Sequence, residues 1–378
     1  MRIFPNRWSD YAVVFLAISA LVYAVRRLHA SKWTSRLLLA AGSGMLLVGL
    51  MLRSLTFAAM LPVRLAEMLR MTSFLALVGA LGGAAVAFIW RILPRPKPDH
   101  SPERRRVLLA ARAAILTSPV VATGYGVFIQ RDNFKMREVN VPIKGLSKEL
   151  DGLRLVQLSD IHLSPFLSER EFARAIDMAN EARADLAVVT GDLITSSKDP
   201  VDACIQQLAR LKDPGGVIGC LGNHEVYAKR EEYVQFRGAR HGIRILRDQS
   251  EILTFRGQPL CFTGVDYQYM SSDYLAGTER HVRPGMPNIL LSHNPDVFRA
   301  AAAKGFDFTL SGHTHGGQIT FEILHQNVSI ARFYTPYVYG LYREGDASIY
   351  VTRGIGTVGV PARLGAPPEV ALIRLCAI

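Results

Sequence analysis

The chain has 378 residues, 49% of them hydrophobic, which is apolar for a water-soluble protein and long enough for two modules. Residues 1–130 hold 16 Lys and Arg against 4 Asp and Glu, and the remainder holds 28 of each, so the whole net charge of +12 belongs to the first third. A nucleic-acid binder would carry that surplus on a folded recognition domain. Here it falls between long apolar runs, where the positive-inside rule puts it, and this argues against a nucleic-acid partner.

Four apolar runs come first. Tyr11–Val25 is closed by Arg26 and Arg27, Leu37–Leu52 by Arg53, and Thr72–Trp90 by Arg91. A hydrocarbon core of about 30 Å needs about 20 apolar residues, or fewer where flanking basic side chains snorkel. The first two runs are short for a span; the third fits, and its Gly79, Gly82 and Gly83 allow close helix contact. The fourth, Val107–Phe128, contains Arg112 and Pro119 and reads either as a span or as a buried or interfacial helix. Residues 1–130 are thus expected to form a transmembrane region of three to four helices (11–25, 37–52, 72–90 and 107–128).

Loop charge predicts the topology. Loops 26–36 and 91–106 hold four and six Lys/Arg, against three in 53–71, so the two richest loops are expected on the cytoplasmic side. Four spans then put the chain after Phe128 outside, whereas three keep it inside. Residues 53–71 read as an interfacial amphipathic helix or as a loop. The Arg104-Arg105-Arg106 run lies far from the start and lacks the aromatic of a twin-arginine signal, so it reads as a stop-transfer flank. No basic n-region precedes the first run, and no cleavable signal is expected.

After an expected linker at 131–149, residues 150–378 alternate short apolar runs with helical stretches, the pattern of an α/β domain. Strands are predicted at Leu153–Leu158, Asp185–Thr190, Gly216–Leu221, Ile252–Phe255, Leu260–Thr263, Ile289–Leu291 and Phe306–Leu310. Ser168 and Glu171 form a capping-box pair for a helix to about Arg183, and Asp199-Pro200 reads as the cap of another to Lys212. Cys204, Cys220, Cys261 and Cys376 make no C-x-x-C pair, and Cys220 and Cys261, which fall inside apolar strand-like runs, read as core thiols.

The informative regularity lies at the ends of the strands. Five predicted strand ends carry metal-competent side chains: Asp160 and His162, then Asp192, then Asn223 and His224, then His293, then His313 and His315. A single Asp there is commonly a turn residue, and a single His is commonly a surface or core residue; five of ten histidines at such ends are not explained that way. Open α/β sheets gather ligands at the carboxyl ends of their strands. The two-residue spacing of Asp160 and His162, repeated in His313 and His315, would point each pair to one side of an extended backbone. Gly191, Gly222 and Gly312 allow tight turns and close approach. Mixed N and O donors without thiolate suit Mn, Fe or Zn. Two such ions can clamp both oxygens of an in-line phosphoryl displacement, and a carboxylate must bridge them; Asp192 holds the middle position.

Asp160-Ile161-His162, Gly191-Asp192, Gly222-Asn223-His224-Glu225, Ser292-His293-Asn294 and Gly312-His313-Thr314-His315, in this order, resemble the calcineurin-like metallophosphoesterase superfamily. The resemblance covers residues 150–378. It implies a four-layer α/β/β/α sandwich, one metal on Asp160, His162 and His315, a second on Asn223, His293 and His313, and Asp192 as the bridge. It also implies that His224 stabilises the phosphoryl group or protonates the leaving oxygen. Gly316-Gly317-Gln318, Tyr339-Gly340-Leu341-Tyr342, Thr352-Arg353-Gly354 and the Arg363–Glu369 stretch are similar to a bacterial membrane-attached branch. That similarity implies a lipid-linked phosphate substrate of the UDP-diacylglucosamine kind and a multi-pass location, expected in a bacterial inner membrane; the four-span topology above would put the catalytic domain outside the cytoplasm.

Arg353 and Arg363 are candidates for holding a second phosphate, against a default of surface solvation. Phe333, Tyr334, Tyr337, Tyr339 and Tyr342 are candidates for an aromatic wall contacting an acyl chain or a base, or else form a partly buried strand pair. The competing functions are an anchored phosphodiesterase for soluble nucleotides and a non-catalytic metal-binding scaffold. Intact ligand positions argue against the scaffold.

Overall fold

A computed structural model gives the architecture and describes residues 8–27, 32–52, 60–61, 63–92, 102–269, 273–323 and 326–378. The chain divides into two compact units, Met1–Ile129 and Gln130–Ile378.

In the first unit every predicted apolar run lies in a helix: α1 (Trp8–Arg27), α2 (Lys32–Met51), α3 (Val63–Ile92) and α4 (Pro102–Phe128). α3 packs against the other three. Small residues mark the close approaches: a Cβ on Gly49 would meet Ser73 Oγ at 1.7 Å, and one on Gly83 would meet Ala24 Cβ at 3.4 Å. Membrane spans were expected, yet among the described residues no helix is long and apolar enough to cross a membrane. α3 also takes in Arg64, Glu67 and Arg70 ahead of its apolar run, and α4 takes in Glu103, Arg104, Arg105, Arg106 and Arg112. Of the segment expected as an interfacial helix or loop, residues 53–59 and 62 lie outside the described residues, and the rest leads into α3.

The second unit is built on two six-stranded sheets. The first runs in the order β1 (Lys135–Ile143), β14 (Glu369–Ala377), β2 (Arg154–Leu158), β3 (Leu186–Thr190), β4 (Val217–Cys220), β5 (Ile243–Ile245). The second runs β12 (Gly340–Glu344), β13 (Ala347–Val351), β9 (Phe308–Ser311), β8 (Asn288–Leu291), β7 (Gln258–Gly264), β6 (Gln249–Phe255). Strands β2, β3 and β4 are parallel neighbours, as are β8 and β9. The expected linker is corrected here: residues 135–143 pair in parallel with β14 along its whole length.

Strand alternation sorts the apolar side chains into layers. Leu155, Val188 and Ile218 meet Phe262, Leu291 and Phe308 between the sheets. On the other face of the first sheet, Val156 and Val189 pack on Phe172 and Ile176 of α5 (Glu169–Glu181) and on Ile205 and Leu208 of α6 (Val201–Leu208). Beyond the second sheet, Leu290 packs with Val297 and Ala301, and Ile349 with Phe298, on α9 (Phe298–Ala303). The result is a helix/sheet/sheet/helix sandwich. Both sheet faces are covered, which is why several strands read as continuous apolar runs.

Helix starts follow local chemistry. Ser168 and Glu171 form the predicted capping box of α5. Asp199 does not cap α6; its carboxylate accepts from the Thr195 and Ser196 amides at 2.9 and 2.6 Å, and Pro200 takes the cap position. Cys220 and Cys261 are free and buried, as expected of core thiols; Cys204 is also free and buried, and Cys376 is half-buried.

Candidate metal centre

The loops leaving β2, β3 and β4, together with those leaving β8 and β9, carry all the predicted donors. Two of these loops are laced together by backbone: the Asp160 and His162 amides donate to the Gly191 and Asp192 carbonyls, each at 3.0 Å. Asp160, His162, Asp192 and His293 are almost completely buried, as are Asn223 and His315.

The ligand atoms gather in three overlapping groups: Asp160, His162 and His315; His162, Asp192 and His224; and Asp192, His293 and His313. Within each group the donor atoms lie within 4.8 Å of one another. His162 Nε2 lies 3.2 Å from His315 Nε2, and His315 Nε2 lies 3.5 Å from Asp160 Oδ1. Asp192 joins the groups, because its Oδ2 is 3.4 Å from His162 Nε2 and 3.1 Å from His293 Nε2.

The extended backbone expected for the Asp160–His162 and His313–His315 pairs is not the one they adopt. Asp160, His162, His313 and His315 are not extended; their φ angles are 50, 46, 76 and 52°, and that of Asp192 is 55°. These are five of the eleven non-glycine residues with positive φ among the described residues. Left-handed backbone costs an L-residue on the order of 1 kcal/mol or more, and such strain collects at functional sites. The glycines also divide by reason. Gly191 has a φ of +88°, where a side chain is strained. Gly222 and Gly312 are required by space: a Cβ on Gly222 would lie 2.1 Å from Asp192 Oδ1, and one on Gly312 would lie 2.2 Å from Asp160 Oδ2.

Imidazole orientation is set by the nitrogen facing away from the cluster. His293 Nδ1 lies 2.6 Å from the Thr190 carbonyl, His162 Nδ1 3.1 Å from Thr195 Oγ1, and His224 Nδ1 2.8 Å from the Thr195 carbonyl. Such partners fix the tautomer of a metal-binding histidine. His224 stands edge-on to His162 at a 4.7 Å centroid separation, and its amide donates to Asp192 Oδ1 at 2.9 Å.

Electrostatics also fit a cation. Burial, with the neighbouring His162 and Arg363 charges, holds His315 well below the usual imidazole range. Burial and His293 take His313 down to about 4. Both rings are therefore uncharged at neutral pH. Burial alone would lower His293, but the Asp192 and Asp160 carboxylates outweigh it and raise it to about 10. Against its own burial, Asp192 is held well below the carboxylate range by His293 and His162. Buried Asp160 Oδ2 and Asn223 Oδ1 have no hydrogen-bond partner, and His293 Nε2 has only the ionic contact with Asp192. Buried polar atoms are nearly always paired, and two orphan oxygens beside clustered imidazoles fit one or two divalent cations.

Three contributors were not singled out from the sequence. Glu225, fully buried in α7 (Asn223–Ala228), accepts backbone amides from Asp192, Leu193 and Gly222 at 2.8–2.9 Å and so ties two ligand loops together. Its spacing from Gly222, three residues, was the available signal. Tyr267 sits 5.6 Å from the His313 ring and 6.1 Å from that of His293, and Tyr227 sits 5.6 Å from His224; no sequence pattern marks them.

The predicted arginines separate. Arg363 is fully buried and its donors meet backbone carbonyls, so the expectation that it grips a substrate phosphate is corrected. Arg353 stacks over Tyr339 at 4.3 Å and lies 3.9 Å from Glu369 Oε2. The expected aromatic wall separates too. Tyr337 packs edge-on to Phe298 and Tyr342, whereas Phe333 and Tyr334 are exposed.

The fold and this cage of buried Asp, Asn and His define a metal-binding α/β/β/α protein. The calcineurin-like phosphoesterase family pattern matches residues 153–317. A metallophosphoesterase of Aquifex aeolicus is 31% identical over 239 residues, covering 59% of this chain and 85% of that protein. The transmembrane protein with metallophosphoesterase domain of Danio rerio is 31% identical over 283 residues, and the match covers 69% of this chain but only 62% of that protein. The metallophosphoesterase YkuE of Bacillus subtilis is 27% identical, with 72% and 97% covered. The chain belongs to the calcineurin-like metallophosphoesterase family. Among solved structures, TT1561 of Thermus thermophilus is similar at 13% identity, 54% and 90% coverage and a TM-score of 0.35, too loose a likeness to say anything of the site.

Proposed function

We propose that the chain is a metal-dependent hydrolase of a phosphodiester or pyrophosphate bond. The observation that carries this is Asp192 Oδ2, shared between His162 and His293 beside buried donor atoms that lack partners. In this reading Asp160, His162 and His315 hold one divalent cation, Asn223, His293 and His313 hold a second, and Asp192 bridges. When bound, the ions (Mn, Fe or Zn) supply charge neutralisation at the phosphoryl oxygens and a hydroxide near neutral pH. His224 acts from the side: Nδ1 donates to the Thr195 carbonyl, which leaves Nε2 facing the site, and in the imidazolium form Nε2–H donates to a phosphoryl or leaving-group oxygen.

The substrate we propose is membrane-located and lipid-linked, of the UDP-diacylglucosamine kind, with the helical unit as the attachment. Large apolar side chains on that unit face outward, among them Phe15 and Trp33, exposed at 70% and 73%. A water-soluble bundle would turn such residues inward. Soluble nucleotides are the second reading, favoured by the Tyr267 and Tyr227 rings beside the cage, on which a base could stack. Purified protein is expected to hydrolyse bis-p-nitrophenyl phosphate only with Mn present. His224→Ala should lose about 10²- to 10⁴-fold in kcat with metal content unchanged. Absence of metal-dependent turnover on every generic phosphodiester would leave a scaffold. Parallel assays on lipid-linked and soluble nucleotide diphosphates separate the two substrates.

A further inference from the structure

Arg363 is the largest fully buried side chain among the described residues. Its Nε donates to the Gly356 carbonyl at 3.0 Å, Nη1 to those of Ala366 at 3.1 Å and His315 at 3.4 Å, and Nη2 to those of Gly356 at 2.5 Å and Gly354 at 3.2 Å. Nη2 also lies 3.4 Å from His315 Nδ1. No carboxylate is among these contacts, and burying an unpaired guanidinium is costly. A loop could be held by neutral groups at less cost, so the location of the charge calls for a reason.

All of these contacts except that to Ala366 lead to one half of the cage. The Gly354–Gly356 segment lies against Asp160: the Gly356 amide donates to the Asp160 carbonyl at 2.7 Å, and a Cβ on Gly354 would meet Asp160 Cβ at 2.5 Å. The remaining contacts include the backbone and ring of His315. None reaches Asn223, His293 or His313. The imidazole contact differs in kind as well. The His162, His293 and His224 rings present Nδ1 to an oxygen, whereas that of His315 faces a group that can only donate. With Nδ1 accepting, the neutral ring carries its proton on Nε2, which faces Asp160 and His162; a cation held there would have to displace that proton, and the guanidinium would offset the charge left on the ring.

We propose that Arg363 is a positioning residue for one cation position, that of Asp160, His162 and His315, and leaves the other to assemble without it. The inference rests on the two-cation reading above. Altering a group behind a metal ligand lowers affinity about 10- to 100-fold. The full chain and its Arg363→Gln and Arg363→Lys variants, checked for folding by circular dichroism, would be loaded with Mn and examined by elemental analysis and electron paramagnetic resonance. The wild type is expected to hold two Mn per chain with a spin-coupled spectrum. The variants should hold about one, with an uncoupled six-line spectrum. A second measurement needs no variant: with ¹⁵N-labelled arginine and Zn titrated into the wild type, the Arg363 resonances should shift in one of the two binding steps only. Coupled Mn in a folded variant, or Arg363 signals that ignore both steps, would overturn the inference alone. A wild type that never shows a coupled pair overturns the two-cation reading and this inference with it.

Discussion

Replacing Glu225 by Gln changes one atom of the tie between two ligand loops, and its effect can be worked out from four contacts. Oε2 accepts the Asp192 and Gly222 amides at 2.9 and 2.8 Å; Oε1 accepts those of Leu193 and Ile194 at 2.8 and 3.4 Å. A glutamine must turn its NH₂ toward one of these pairs. The cheaper choice sets it against Leu193 and the long Ile194 contact, leaving one well-made and one weak donor without an acceptor. A buried donor stripped of its partner costs about 1–3 kcal/mol. Relief of burying the carboxylate, whose pKa is raised by burial and by Asp192, offsets part of this. The net is about 2 kcal/mol, which in a unit of this size lowers Tm by roughly 4–8 °C. Glu225→Ala strips all four amides and should cost about 4 kcal/mol or more. Thermal melts of the metal-free protein, followed by Mn titration, measure both stability and site assembly. A Gln variant that melts within about 0.5 kcal/mol of wild type and binds Mn unchanged would refute the claim that this carboxylate organises the Asp192 loop.

Gly312→Ala should abolish Mn binding, because its Cβ would lie 2.1 Å from Ser159 Oγ and 2.2 Å from Asp160 Oδ2. Gly124→Ala, in helix α4 with no atom within 4 Å, should leave Mn binding intact and hold or raise stability by about 0.5–1 kcal/mol. In the metal-free protein His293 titrates near 10, above its unfolded value of about 6.5. Its contribution to stability should therefore be complete below about pH 6.5 and fade as pH rises toward 10. Chelator-treated melts across that range check this, and a flat profile would contradict the Asp192–His293 pairing. Calorimetry in buffers of different ionisation enthalpy should also show proton release on Mn binding at neutral pH.

Much of the centre was legible because its signals are local. A polar donor directly after an apolar run marks a strand end whatever the run pairs with, and five such ends in order named the donors. The capping box of α5 was readable for the same reason, since Ser168 and Glu171 meet within one turn. Pairing was not readable. A period-two pattern says which face a residue takes but not which strand lies beside it, so residues 135–143 read as a linker until their register with β14 was seen.

The sequence by itself named the candidate donors, placed seven strands and two helices of the second unit, and marked the N-terminal runs as helical, because each follows from chemistry within a few residues. Only the tertiary structure decided that Asp160, His162, His313 and His315 are left-handed rather than extended, and that Asp192 stands between two histidines. It also turned Arg363 from an expected surface cation into a buried group behind His315. A side chain's partners, and hence its charge state and role, are fixed by segments far away in the chain. Arg363 and His315 are 48 positions apart, and neither carries a mark of the other.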